Sequence, residues 1–191
     1  NLKQKITNKY LLTRPNLENV SFAYKLSTIL KIKKNIFLKA LNNFKGLPHR
    51  NEIFYKKREI TFINDSKATS FDAAKYALKN NKNIFWIVGG LPKLGDKFKL
   101  QDVKNNIIKS YIIGKNSNYF KKQIKKIIEH KLSLTLENAL QNIIADLNIF
   151  KKKQATILLS PASASYDQFN NFAERGNQFK KLTFKYARKF L

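Results

Sequence analysis

The segment from Phe62 to Leu78, FINDSKATSFDAAKYAL, decides the fold class, because its pattern changes from strand to helix within a few residues. Ile60 to Ile63 form a short apolar run, which predicts a strand. The apolar residues that follow recur at the spacing of an amphipathic helix, namely at Phe71, Ala74, Ala77 and Leu78. An open α/β sheet places its ligand where a strand runs through a polar turn into a helix N-terminus.

The polar turn between these two elements, Asn64 to Ser70, carries the groups of an anion-binding site. Either Thr69 or Ser70 can cap the helix that follows. The free backbone N–H groups of the first helical turn and the helix dipole favour an anion, and Lys67 adds a full positive charge. An ordinary capped loop uses the same residue types, so the turn alone leaves both interpretations open.

Length and composition limit the class of protein. The chain has 191 residues, which is enough for one domain or for one domain and part of another. It has no cysteine, which excludes disulfides, thiolate zinc sites and cysteine nucleophiles and is compatible with the cytosol. No apolar run approaches the roughly 20 residues of a membrane span. There is also no methionine, even at position 1, so we expect the sequence to be a fragment or a chain whose start is missing.

The net charge of +26 suggests nucleic-acid binding, but the distribution of the charges argues against it. Lysine pairs are spread along the whole chain, and lysine far outnumbers arginine, the residue that makes most specific base contacts. The pattern is typical of a lysine-rich solvated surface. We therefore expect no nucleic-acid partner. We also expect no membrane partner and a monomeric protein.

Two helices without a strand between them open the chain. The periodicity predicts one helix from Leu17 to about Ile32, with Asn16 as its N-cap, and a second from about Lys34 to Phe44. A strand-like patch precedes them at Tyr10 to Leu12. Gly46-Leu47-Pro48 then interrupts the pattern, so we predict a domain boundary there, with residues 1–46 in one domain and 47–191 in the next.

Strands and helices alternate in the second part of the chain. A strand is predicted at Glu52 to Tyr55, and after the Phe62–Leu78 segment come three apolar strands, at Ile84 to Val88, Ile107 to Ile113 and Thr156 to Leu159. Helices are predicted around Phe120, from Leu136 to Ile149 with Thr135 as cap, and in a last region that includes Phe169 and Phe172, with an interruption near Gly176. This alternation predicts an α/β, Rossmann-like, mostly parallel sheet with helices on both faces.

Polar residues follow three of the predicted strands. They lie in the polar turn (Asp65, Lys67, Thr69), in the loop after Gly89-Gly90 (Lys93) and in the small-residue loop after Leu159 (Ser165). The ends of parallel strands share one edge of the sheet, so the ligand is expected there. The chain contains neither the dinucleotide-binding motif G-x-G-x-x-G nor the phosphate-loop motif G-x-x-x-x-G-K-[ST]. If the protein uses ATP, most of the residues that bind its phosphates would therefore lie outside this chain.

Four motifs together resemble the bacterial Mur ligases, and within them the members that add D-glutamate to UDP-N-acetylmuramoyl-L-alanine. They are LPHR (Leu47 to Arg50), INDSKAT (Ile63 to Thr69), WIVGGLPKLGDKF (Trp86 to Phe98) and LLSPASASYDQFNNFAERG (Leu158 to Gly176). The resemblance covers the C-terminal domain and the last helices of the central ATPase domain. It implies a cytoplasmic, ATP- and Mg²⁺-dependent ligase of peptidoglycan precursor synthesis, in which an acyl phosphate is attacked by the amine of D-glutamate.

The resemblance also implies roles for individual residues. The catalytic lysine near the transferred phosphate is Lys67. The residues on the ATP side are Asn16, Asn19, Arg50 and Asp65, and Asp65 lies near the ribose. The D-glutamate pocket is formed by Thr69, Lys93, Ser165 and the backbone of Phe172. The central-domain phosphate loop, the central-domain ligands that would hold most of the Mg²⁺ and the UDP-binding domain have no counterpart here, so the chain is not expected to catalyse alone.

Two other functions stay open at this stage. Another amide ligase of the same superfamily, such as the folylpolyglutamate type, would share the fold and differ in its amino acid. A basic nucleic-acid-binding module would instead cluster its lysines on one face and bind with a steep salt dependence.

Overall fold

A computed structural model describes residues 2–12, 14–150 and 154–190 of the chain. The contacts between residues divide the chain into two compact units, Asn1–Leu47 and Pro48–Leu191. In the part of the chain that the structure describes, no helix is long and apolar enough to cross a membrane.

The first unit is helical. Two 3-10 turns, Lys3–Lys5 and Lys9–Leu12, precede helices α1 (Arg14–Ile29) and α2 (Lys34–Asn43). The strand-like patch at Tyr10 to Leu12 was therefore a wrong prediction, because this segment forms a 3-10 turn. The buried core of this first unit is small and consists of Ile6, Leu11 and Val20.

The N-cap predicted at Asn16 was also wrong, since α1 begins two residues earlier at Arg14. The Asn16 side-chain amide instead donates a 2.6 Å hydrogen bond to the carbonyl oxygen of Tyr10. This bond fastens the first turn of α1 to the 3-10 turn before it. The helix ends at Ile29, before the predicted end at Ile32.

The second unit confirms the predicted fold class. Its elements in chain order are β1 (Glu52–Lys57), β2 (Ile60–Asn64), α3 (Phe71–Asn80), β3 (Ile84–Gly89), β4 (Ile107–Ile113), α4 (Ser117–Ile124), β5 (His130–Leu134), α5 (Leu136–Ile149), β6 (Ala155–Leu159) and α6 (Phe172–Phe190). The six strands form one sheet in the order β1-β2-β6-β3-β4-β5. All neighbouring strands pair in parallel except β1, which pairs antiparallel with β2.

Helices cover both faces of the sheet. The core on one face joins α3 and α4 to strand residues such as Ile63 and Trp86. The core on the other face joins α5 and α6 to the alternate residues of the same strands, such as Phe62 and Phe85. Successive residues of a strand point to opposite faces, so a strand covered on both sides is apolar throughout. All six residues of β3 are accordingly buried.

Two elements differ from the sequence-based expectation. The strand β5 was not predicted, because its sequence HKLSL is polar and lies at the edge of the sheet, where only one side pairs with a neighbour. The helix α6 runs without interruption through Gly176, where a break was predicted. Gly176 is required for packing, since a Cβ atom there would lie 2.2 Å from Nδ1 of His49.

We predict that Gly176→Ala destabilises the second unit. Alanine favours a helix, but its methyl group would push against the buried His49 ring, and overpacking of this kind costs about 1–3 kcal/mol. Urea unfolding followed by circular dichroism measures the effect. Asn177→Ala, at the next and exposed position of α6, is the matched control and should be neutral or slightly stabilising. Equal stability of the two variants would contradict the packing argument.

Candidate functional site

The candidate site lies at the carboxyl edge of three adjacent strands, β2, β6 and β3. The sequence predicted that the polar loops after these strands share one edge of the sheet, but it did not predict the order of the strands. Because β6 pairs with both β2 and β3, the loop after β6 lies between the loops after β2 and β3. We call them the β2 loop (residues 65–70), the β6 loop (160–171) and the β3 loop (90–98).

Asp65 opens the β2 loop and is buried beneath it. The hydroxyl of Ser160 donates a 2.7 Å hydrogen bond to Oδ2 of Asp65, and the backbone N–H of Asn51 donates a 3.0 Å bond to Oδ1. Burial raises the pKa of Asp65 to about 6, although these hydrogen bonds and the positive charge of Arg50 act in the opposite direction. The carboxylate thus joins the β2 and β6 loops.

Lys67 presents its ammonium group over an aromatic ring. Its Nζ lies 3.8 Å from the centroid of the Phe172 ring, and its backbone N–H donates a 3.0 Å hydrogen bond to the carbonyl oxygen of His49. A cation–π contact orients an ammonium without neutralising it. Among the residues that the structure describes, Lys67 forms no ion pair with a carboxylate. Its charge is therefore available to an anionic ligand.

A partly buried polar network supports the backbone of Lys67. Nδ1 of His49 lies 2.9 Å from Nδ2 of Asn64, and the backbone N–H of His49 donates to Glu52. Glu52 also pairs with Nζ of Lys180 at 2.5 Å. Burial lowers the pKa of His49, and the positive charge of Lys180 acts in the same direction. The network fixes the His49 carbonyl that holds the backbone of Lys67.

Arg175 connects the loops of the site from beneath and is itself 1% exposed. Its Nε–H donates to Oγ of Ser66 at 3.0 Å, and Nη2 donates to the carbonyl oxygens of Ser66 and Ser163, both at 2.9 Å. Nη1 donates to the carbonyl oxygen of Ala164 at 3.3 Å. Burial lowers the pKa of Arg175 to about 10, and the negative charge of Asp167 acts in the opposite direction, so the guanidinium stays charged at neutral pH.

The β3 loop is joined to the β6 loop and to helix α3. Leu91 and Ala164 exchange backbone hydrogen bonds of 2.9 and 3.0 Å with each other, which pairs this loop with the β6 loop. Oδ2 of Asp96 accepts a 2.8 Å hydrogen bond from the backbone N–H of Phe71, in the first turn of α3. Lys93 lies between these two anchors and is exposed.

The remaining predicted pocket residues also belong to these loops. Thr69 is exposed and precedes Ser70, whose Oγ caps α3 by accepting from the Ala73 N–H. Ser165 is 2% exposed within the β6 loop. Phe172 is the first residue of α6, where backbone N–H groups have no partner inside the helix.

The structure groups most, but not all, of the predicted site residues. The second unit contains Arg50, Asp65, Lys67, Thr69, Lys93, Ser165 and Phe172, all on or beside the three loops. Asn16 and Asn19 belong to the first unit. There the Asn16 amide is bonded to Tyr10, and Asn19 is exposed on α1.

Sequence reasoning missed the residues that hold the loops together. Arg175 was quoted only as part of a motif, and Ser66, Ser160 and Asn64 were treated as turn residues. An arginine at the start of a helix that follows a small-residue loop was the available signal. No cluster of three or more His, Cys, Asp or Glu side chains that could hold a metal ion occurs in residues 2–12, 14–150 and 154–190.

Comparison with known proteins identifies similar ligases. The chain is 36% identical over 167 residues to a UDP-N-acetylmuramoylalanine--D-glutamate ligase from Wolbachia sp., covering 87% of this chain and 33% of the relative. It is 39% identical to the ligase of the same name from Fusobacterium nucleatum, covering 89% of this chain and 40% of the relative. The chain thus spans about a third of the length of the curated relatives it matches. A comparison with models of protein families gives no match.

Solved structures show the same fold. The MurF structure from Acinetobacter baumannii superposes with a TM-score of 0.65 at 16% sequence identity, over 93% of this chain and 38% of that one. A second ligase structure from that organism, named for D-alanyl-D-alanyl addition, gives a TM-score of 0.58 over 93% of this chain and 37% of that one, also at 16% identity. Both the resemblance drawn from the motifs and the fold class are confirmed.

We predict that Asp65 makes stability fall as pH rises from about 4 to about 6. The folded chain binds the Asp65 proton more tightly than the unfolded chain, so ionisation over this range favours unfolding. A pKa difference of about 2 corresponds to about 3 kcal/mol. Asp65→Asn should remove this part of the pH dependence in urea unfolding. Asp72→Asn, an exposed aspartate on α3, should leave it unchanged, and an unchanged slope in Asp65→Asn would contradict the assignment.

Proposed function

We propose that this chain is the carboxy-terminal, amino-acid-binding part of a cytoplasmic Mur ligase that adds D-glutamate to UDP-N-acetylmuramoyl-L-alanine. The sequence matches to D-glutamate ligases and the Mur ligase fold support this proposal. The observation that carries it is the grouping of Lys67, Thr69, Lys93, Ser165 and the start of α6 on three loops that share hydrogen bonds.

The site suits an amino acid with two carboxylates. A dicarboxylate needs positive charge and several neutral donors, because charge-assisted hydrogen bonds to carboxylates are the strong ones. In our proposal Thr69 and Lys93 hold the α-carboxylate. Ser165 and the backbone N–H of Phe172 hold the side-chain carboxylate, where the N-terminus of the 19-residue helix α6 also favours an anion.

Lys67 serves the reacting end of the site. In the proposed reaction, ATP phosphorylates the carboxylate of the muramoyl-L-alanine substrate, and the D-glutamate amine displaces phosphate from the resulting acyl phosphate. Both steps develop negative charge, which a nearby unpaired ammonium stabilises. The contact with Phe172 holds the Lys67 ammonium in place without reducing its charge.

The ATP contacts that we propose for this chain are peripheral. Arg50 is exposed and positively charged, which suits a phosphate or ribose. Both Asp65 oxygens already accept hydrogen bonds, so a contact to the ribose would use their remaining lone pairs. Asn16 and Asn19 are proposed contacts from the first unit, which we assign to the tail of the central ATPase domain.

The resemblance implies a Mg²⁺ ion, which we expect to be held mainly by the central domain. The described residues contain no group of three or more His, Cys, Asp or Glu side chains that could hold a metal ion, and we assign no step of the reaction to a metal held by them.

We predict that D-glutamate shifts the amide NMR signals of the β2, β6 and β3 loops of this chain. L-glutamate should produce weaker shifts, because the inverted centre cannot place both carboxylates and the amine as D-glutamate does. Ser165→Ala removes one proposed donor and should weaken D-glutamate binding about 5- to 30-fold. Ser117→Ala, at the first residue of α4, is the matched control. Shifts that are absent at millimolar D-glutamate, or equal with L-lysine or L-aspartate, would favour a ligase for another amino acid.

We further predict that Lys67→Ala abolishes turnover with little loss of stability. The ammonium is partly exposed and makes a single ring contact, so its removal costs the fold about 1 kcal/mol or less. The measurement is phosphate release from ATP when this chain is combined with a phosphate-loop domain and a UDP-binding domain. Lys99→Ala, an exposed lysine that follows the β3 loop, should keep normal turnover. Near-normal turnover by Lys67→Ala would remove Lys67 from the catalytic machinery.

A further inference from the structure

Arg175 is buried, although burying a cation costs free energy. The groups that it contacts indicate its role. Among the described residues it forms no ion pair with a carboxylate, and its hydrogen bonds all go to neutral oxygens. A buried charge lowers stability unless it is well paired, so such a residue is a weak choice for stability alone. Its placement suggests that it has a second task.

The guanidinium contacts every loop of the candidate site. It donates to Ser66 in the β2 loop and to Ser163 and Ala164 in the β6 loop. A Cβ atom on Gly90 would lie 3.2 Å from Nη1, so the backbone of the β3 loop packs directly against it as well. One rigid, planar group thus touches three loops that come from three different strands.

Two of these contacts lie next to residues of the proposed site. Ser66 precedes Lys67, and Ala164 precedes Ser165. Oγ of Ser66 also donates a 2.8 Å hydrogen bond to the carbonyl oxygen of Phe172, so the connection continues into the first turn of α6. A change at Arg175 would therefore shift both ends of the pocket relative to each other.

We infer that Arg175 is the positioning residue that sets the distance between the two carboxylate-binding ends of the pocket, and that it thereby selects the length of the dicarboxylate. One end is formed by Thr69 and Lys93 on the β2 and β3 loops, and the other by Ser165 and the Phe172 N–H. This inference rests on the proposed function. D-Glutamate exceeds D-aspartate by one methylene group, and a rigid pocket discriminates such a difference by about 10- to 200-fold. A pocket whose two loops can move apart or together accepts both lengths.

Arg175→Lys keeps the charge and removes the planar fork, so it tests the geometry and not the electrostatics. Arg58→Lys makes the same change at an exposed turn and is the matched control. Ser66→Ala is the milder variant, because it keeps Arg175 and removes only the hydroxyl that links Nε to Phe172. If Arg175→Lys does not fold, Ser66→Ala is measured in its place.

The readout is the ratio of the Kd values for D-aspartate and D-glutamate, measured by amide NMR titration. Unfolded chain binds neither amino acid, so this ratio does not change when a variant is merely less stable. We expect a ratio of about 10 or more in the unmodified chain and in Arg58→Lys, and a fall toward 1 in Arg175→Lys. Ser66→Ala should give an intermediate value. An unchanged ratio in a destabilised Arg175→Lys would overturn the inference and leave Arg175 a structural residue.

Amide hydrogen exchange separates this inference from the proposed function. If the unmodified chain binds neither amino acid, the proposed function fails and the positioning role is judged by exchange alone. Arg175→Lys should then accelerate exchange at Lys67, Leu91 and Ala164, whose N–H groups are hydrogen-bonded in the three loops, and leave α5 unchanged. Exchange that rises equally in α5, or in none of the loops, would overturn the positioning role as well.

Discussion

The candidate site depends on the hydrogen bonds of one buried guanidinium. The three loops are irregular, and each leaves polar backbone groups that must find partners away from water. Arg175 supplies several donors in one fixed plane to the Ser66, Ser163 and Ala164 carbonyls, which no single neutral side chain could do. Without this group the strands would remain, but the three loops would no longer be held in a fixed arrangement relative to one another.

The same arrangement gives the edge of the sheet its positive potential. Arg175 lies beneath the loops, Lys67 lies above an aromatic ring, and the N-terminus of α6 points toward the same edge. Asp65 offsets part of this potential, because a carboxyl group with a pKa raised to about 6 is still mostly ionised at neutral pH. Positive charge that is fixed before the ligand arrives stabilises developing negative charge without reorganisation.

The sequence predicted the parts of this structure that follow local rules. Strands β2, β3, β4 and β6 and the Thr135 and Ser70 caps follow from periodicity and capping chemistry. The order of the strands, the polar edge strand β5 and the continuous helix α6 were missed, because they depend on contacts between distant residues. His49 with Gly176 and Arg175 with Ser66 are such contacts, and no spacing in the sequence reveals them.

The most direct test of this account is a crystal structure of the chain with bound D-glutamate. The account predicts one D-glutamate molecule across the β2, β6 and β3 loops, with its α-carboxylate at Thr69 and Lys93 and its side-chain carboxylate at Ser165 and the Phe172 N–H. D-Glutamate bound elsewhere on the chain, or bound at these loops without contact to Lys93 and Ser165, would contradict it.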